Sequence, residues 1–228
     1  MAETTYRLLL RTAVLLTLAW IGWTVYDGQF RGRAPETLTL AGAAHRLGDG
    51  EDRAAVTGYR AMLQAEPHNR GALRGEAQAL MRLGMQRQRQ AAQYQAEGDT
   101  ARAEALGQQS GADLRSALHR YDRAIALETA AQTTPRSLGV AHANRGILKD
   151  RMGDYTGALA DYREALRLAP ELAEGPGLLT RFLRNQAQRP PSIADRAEYL
   201  AEQLARPEAE RLMRMPEEDA RQRAYTLD

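Results

Sequence analysis

The 228 residues include no cysteine, which excludes disulfides, thiolate nucleophiles and Cys-ligated metals. The 31 Lys and Arg nearly balance 29 Asp and Glu, and the two signs are interspersed along the chain. A nucleic-acid binder should instead cluster its positive charge and interleave aromatics for stacking, so that class is not expected. Lys149 is the only lysine, and the Arg bias reads as GC-rich coding rather than as RNA or DNA recognition. The length allows one or two domains with a real core, and a composition led by Ala, Leu, Arg, Glu and Gln favours helix.

Residues 8 to 26, LLLRTAVLLTLAWIGWTVY, form the one long apolar run. From Thr12 to Tyr26 there is no charge, and Arg11 can snorkel outward. As helix the run spans about 28 Å, close to a ~30 Å hydrocarbon core. Trp20, Trp23 and Tyr26 gather at its far end, as an interfacial aromatic belt would. A cleaved signal peptide and a buried helix are the alternatives. The following YDGQFRGRAPE offers no good small-residue cleavage site, so an anchor is preferred. Arg7, Arg11 and the amine stand against Glu3 on one side, Arg31 and Arg33 against Asp27 on the other. That difference barely tips the positive-inside rule. The short N-terminal tail and the distal Trp pair favour the N-terminus inside and the bulk outside, which in a Gram-negative bacterium is the periplasm. The expected division is an anchor over 1–27, a linker over 28–37, a helical repeat domain over 38–187 with an insertion at 85–116, and a C-terminal helical cap or tail over 188–228.

After the linker comes a faint helical pair, Leu38 to Leu47 and Ala54 to Ala65, with GDGED between and Pro67 after. The acidic turn lacks the spacing and closing Glu of a calcium loop. A further pair is split. Gly71 to Gly84 is a good first helix, and Ala117 to Leu127 its partner. The polar, Gln- and Ala-rich stretch between them is helix-prone, with a turn at GDT and Thr100 as a candidate N-cap. It is expected to lengthen both helices into a protruding antiparallel hairpin, with Gly107 and Gly111 marking a break. A disordered excursion is the alternative.

The clearest unit runs from Gly139 to Pro170. Ala141, Ile147, Leu148 and Met152 belong to its first helix, and Gly153-Asp154 break it. Tyr155, Ala158, Leu159, Tyr162, Ala165, Leu166 and Leu168 then follow helical spacing with one apolar face. Pro170 stops the second helix. Gly146, Ala158 and Ala165 are small where helices must approach closely.

On Gly146, Gly153, Tyr155, Ala158, Tyr162, Ala165 and Pro170, with Asn144-Arg145-Gly146, this unit resembles the tetratricopeptide repeat (TPR) family. Ala55, Tyr59, Met62 and Pro67 fall on the same positions in the faint pair, and Ala117, Tyr121, Ala124 and Leu127 in the split one. His142 and Lys149 depart from the family's aromatic preferences. The resemblance implies an all-α, TPR-like α-solenoid of about three helix pairs plus capping helices, behind one N-terminal transmembrane helix. It is nearly silent on chemistry, because such repeats bind partners and do not themselves catalyse.

Beyond Pro170, ELAEGPGLLTRFLRNQ offers a helix with Leu178, Leu179, Phe182 and Leu183 on one face. Ser192 and Asp195 form a capping-box pattern before a further helix. Pro207 and Pro216 should start two short helical turns, PEAERLMRM and PEEDARQRAY. Leu212, Met213 and Met215 could lie back along the repeats or meet a partner.

No HExxH, G-x-S-x-G, phosphate loop or dinucleotide fingerprint is present. His45, His68, His119 and His142 stand apart, each with too few neighbouring carboxylates to nominate a metal site. No pair of carboxylates is nominated for acid–base work by spacing alone. The expectation is therefore no enzyme activity, no cofactor, no metal and no small-molecule substrate.

In the family that the chain resembles, first helices line a concave groove that binds an extended peptide or a partner helix. Carried over by repeat position, the groove residues are Ala143, Asn144, Ile147, Asp150 and Arg151. Asn144 is the leading candidate, for a hydrogen bond to a ligand backbone or within its own helix pair. Arg74, Gln78, Met81 and Arg82 are nominated only because they share one helical face. Arg74 and Arg82 could grip carboxylates. The expected function is a membrane-anchored adaptor or scaffold in assembly or maturation of a bacterial membrane or envelope complex. The alternative is a permanent accessory subunit of a membrane enzyme complex, with Gly22 and Ala19 as a point of close helix approach. An all-helical enzyme is the third reading.

Overall fold

The computed structural model describes Thr12, residues 14–21, Trp23, residues 39–174 and 191–215, Ala224 and Tyr225. The chain divides into two units, Met1–Thr37 and Leu38–Asp228. In the first, the described residues are helical, and Leu15, Leu16, Trp20 and Trp23 are exposed. Among the described residues no helix is long and apolar enough to cross a membrane. The rest of the expected anchor, and the whole 28–37 linker, lie outside the described residues.

The second unit is all-α, with no strand among its described residues. It begins with α1 (Leu40–Gly48) and α2 (Asp52–Ala65). Two long helices follow, α3 (Arg70–Ala96) and α4 (Thr100–Ala130), then α5 (Pro135–Met152) and α6 (Tyr155–Leu168). A 3-10 turn at Pro170–Ala173, α7 (Ile193–Ala205) and a 3-10 turn at Glu208–Glu210 complete the described elements. Short polar residues start most of these helices: Thr39, Asn69, Asp99, Thr134 and Asp154 each accept a hydrogen bond from a first-turn N–H. Gly153 ends α5 with φ +87°, a conformation that strains any residue with a Cβ.

Packing is serial from α1 to α6. Each helix lies against the one before and the one after, and α1 meets α3 as α3 meets α5. One continuous core results, with Tyr59, Tyr121 and Tyr162 as its largest members. Small residues make room for them. A Cβ on Gly146 would stand 2.7 Å from the Tyr162 ring, so α5 and α6 reach their spacing only with glycine there.

The stretch from 85 to 116 is helical throughout apart from the turn at residues 97–99, which joins the two arms of the α3–α4 hairpin. Two expectations change within it. The cap is Asp99, not Thr100; its side chain accepts from the Arg102 N–H at 3.1 Å. Gly107 and Gly111 do not break α4. A glycine inside a helix costs only about 1 kcal/mol, which the length of α4 packed on α3 outweighs.

The Ser192–Asp195 capping box is present at the start of α7. The helical turn expected from Pro207 shrinks to Glu208–Glu210, and residues 211–215 run on without helix. Side chains of α7 satisfy that backbone instead. Gln203 accepts from the Leu212 N–H, Tyr199 donates to the Leu212 carbonyl, and Arg196 donates to the Met213 carbonyl. Of the segment after Pro170 only the 3-10 turn falls among the described residues; the helix expected around Leu178 to Leu183, and that starting at Pro216, lie outside them.

Candidate functional site

Helix α5 carries most of the residues nominated for a groove, and the C-terminal part of the chain covers their face. Asp150 accepts two hydrogen bonds from Arg196 of α7, at 2.7 and 2.8 Å, and one from the Tyr162 hydroxyl at 3.2 Å. Both charges are 3% exposed, so the pair is a true interior ion pair. Arg214 donates to the Arg151 carbonyl at 2.9 Å.

Asn144 is 4% exposed and is used twice by one residue of the tail. Its Oδ1 accepts from the Tyr225 N–H at 2.7 Å, and its Nδ2 donates to the Tyr225 carbonyl at 3.0 Å. A single residue offers its N–H and C=O to the same partner only when the two point the same way, as along the edge of an extended strand. The Tyr225 phenol completes the attachment. It donates to the Leu172 carbonyl at 3.1 Å and accepts from the Ile193 N–H, also at 3.1 Å. Ile193 opens α7, so the phenol satisfies one of the N–H groups that a helix start leaves without an internal partner.

The other nominated residues are placed differently. Met81, Ala143 and Ile147 belong to the core. Arg74 is paired with the fully buried Glu128, and both groups hydrogen-bond Ser137 near the start of α5. Arg82 spans from α3 to the α1–α2 turn, bonding the Leu47 carbonyl at 2.7 Å and Asp52 at 3.0 Å. Gln78 is half-buried. The two arginines thus tie helices together, with carboxylates of the chain itself taking their charge.

Sequence spacing overlooked a cluster between α5 and α6. Asp161 is 3% exposed and receives Arg145 at 2.6 and 2.8 Å, His142 Nδ1 at 2.9 Å and Lys149 at 2.9 Å. A carboxylate only accepts, so His142 carries its proton on Nδ1. The signal was present in the sequence. His142, Arg145 and Lys149 recur at helical spacing on one side of α5, and two of them are the departures from the repeat pattern. Burial alone would raise the Asp161 carboxyl; hydrogen bonds from His142, Arg145 and Lys149 outweigh it and hold the group well below the usual carboxylate range. A depressed folded pKa gives stability that is full above the unfolded value, ~3.9, and is lost as pH falls through the folded value. Urea unfolding between pH 6 and pH 2.5 should show the consequence. Asp161→Asn removes one proton's share of the acid slope, up to ~1.4 kcal/mol per pH unit below about pH 4.

Elsewhere His45 pairs with Asp49 at 2.6 Å, and His68 and His119 are exposed. Among the described residues no group of three metal-ligating side chains converges. No family model matches the chain, and no curated protein matches it.

Proposed function

We propose that this chain is a membrane-anchored, TPR-like adaptor that holds an extended segment of a partner protein against helix α5. One observation carries the reading. Asn144, nominated for contact with a ligand backbone, makes a two-point contact with the N–H and C=O of an extended residue, Tyr225 of the tail. Serial packing of α1 to α6, and first helices that meet in succession, support the TPR-like solenoid. The exposed apolar side chains among residues 14–21 and at Trp23 support an anchor. The reading puts that anchor in a bacterial inner membrane, with the remainder of the chain periplasmic. An anchored groove raises the local concentration of its partner and so suits assembly or maturation of a membrane or envelope complex. The same exposed side chains would also suit packing on other membrane helices, the arrangement of a permanent accessory subunit.

Detergent extraction, affinity purification and mass spectrometry separate the two. The full-length chain and a form lacking residues 1–36 are compared. The adaptor reading expects the shortened form to keep its partners. Loss of every partner would instead make the chain a subunit held through its N-terminal helix. A reporter fused after Asp228 tests orientation; activity only in the cytoplasm would overturn the periplasmic placement.

A further inference from the structure

We infer that the notch formed by Asn144, the Leu172 carbonyl and the Ile193 N–H is a recognition site for an extended polypeptide segment presenting a tyrosine. The chain's own Tyr225 occupies it until a partner segment of the same chemistry takes its place. The inference rests on the peptide-binding reading above and specifies the partner's chemistry.

The two halves of the notch read different things. Asn144 pairs with main-chain N–H and C=O, which every extended residue except proline can offer. It therefore selects conformation and not sequence. The other half selects a side chain. The Leu172 carbonyl needs a donor, the Ile193 N–H needs an acceptor, and the two meet one oxygen at 3.1 Å each. A hydroxyl satisfies both at once; carboxylates and ammonium groups each satisfy only one. That hydroxyl must also lie a full side chain away from the Asn144 contact, which is the reach of a phenol and beyond that of Ser or Thr.

The way the tail is held suits replacement. Further up the tail, at Met213, the chain is fastened by Arg196, whose charge is buried against Asp150. Tyr225 itself is half-exposed, and the four hydrogen bonds described at the notch join neutral groups. Each such bond is modest in net terms, because water offers the same partners once it is released. Tyr225 also has the advantage of tethering, which sets an effective concentration of the order of millimolar. A partner segment that binds the same groups and also touches its surroundings can exceed that.

The test uses the full-length chain in detergent and a fluorescent peptide of sequence ARQRAYTLD, residues 220–228, acetylated and amidated. Its binding to the native chain is compared by anisotropy with binding to Tyr225→Ala, in which the internal competitor loses its phenol. The expected result is binding at least about 10-fold tighter to Tyr225→Ala. A peptide carrying Phe for Tyr should bind that variant about 3- to 10-fold more weakly, the worth of one hydroxyl. Asn144→Ala in the Tyr225→Ala background should weaken binding by about 10- to 100-fold, the worth of two neutral hydrogen bonds, with circular dichroism confirming that the variant is folded. Equal affinity for native and Tyr225→Ala chains overturns the inference, and so does equal affinity of the Phe and Tyr peptides. A native dimer that the peptide converts to monomer also overturns it, because the tail would then serve a second copy. Peptide binding without any captured partner would leave the notch standing and remove the adaptor reading. Captured partners without peptide binding would do the reverse.

Discussion

Arg196→Ala is expected to destabilise the helical unit by about 3–5 kcal/mol in urea unfolding, more than any exposed arginine substitution in the chain. The reason is what stays behind. Asp150 is buried, and without Arg196 it keeps the Tyr162 hydroxyl as a donor but no cation among the hydrogen bonds described above. A carboxylate left in that position keeps its desolvation cost and loses the charge that offset it. The Met213 carbonyl loses its donor at the same time. Replacing both members of the pair, Asp150→Leu with Arg196→Met, should recover most of the loss, since an apolar pair of similar volume carries no desolvation cost. Recovery separates a charge effect from a packing one. If the double variant is as unstable as Arg196→Ala, shape at this position matters more than charge. Arg206→Ala is the internal control. Its pairing with Glu202 lies at the surface, where ion pairs contribute at most ~1 kcal/mol.

The Asp150–Arg196 pair also marks where sequence reasoning stops. Helix positions were legible because they rest on local rules. Apolar spacing, Gly153, Pro170 and the Ser192–Asp195 box all act within a few residues, and they place the end of α5, the whole of α6 and the start of α7. Helix α5 itself begins at Pro135, ahead of the Gly139 start expected for the unit, because proline suits the first position of a helix. The tyrosines and alanines of the core were legible for the same reason. The polar interior was not. Asp150 and Arg196 are 46 positions apart, and Arg74 and Glu128 are 54 apart. Nothing in the spacing of either residue distinguishes a charge that faces water from one that faces a buried partner. Arg74 and Arg82 shared a helical face as expected, but that face meets neighbouring helices. Asn144 is the instructive case. The resemblance implied a hydrogen bond to a ligand backbone or one within its own helix pair; the backbone it bonds is the chain's own, that of Tyr225, 81 positions away.

Tyr162→Ala should cost about 3–5 kcal/mol and Tyr162→Phe about 1 kcal/mol, while Tyr121→Phe should leave stability unchanged or raise it by up to ~1 kcal/mol. All three follow from one comparison. Tyr121 and Tyr162 are both 0% exposed and stand at corresponding positions in their helices. Removing the Tyr162 ring opens a cavity against Gly146, whose missing side chain was what admitted the ring. Its hydroxyl donates to Asp150, so the Phe variant also takes one of that carboxylate's donors away. The Tyr121 hydroxyl is buried without a hydrogen-bond partner among the described residues. Burial pushes its ionisation well above the ordinary phenol range, so the group is neutral at pH 7. A buried hydroxyl in that state carries a desolvation cost with no bond to offset it, and phenylalanine removes the cost while keeping the ring. Opposite signs for the two Phe variants, measured by urea unfolding at pH 7, would establish that the two positions share their shape and differ in their polar chemistry. A loss of more than 1 kcal/mol in Tyr121→Phe would mean that its hydroxyl has a partner after all, with an internal water as the first candidate.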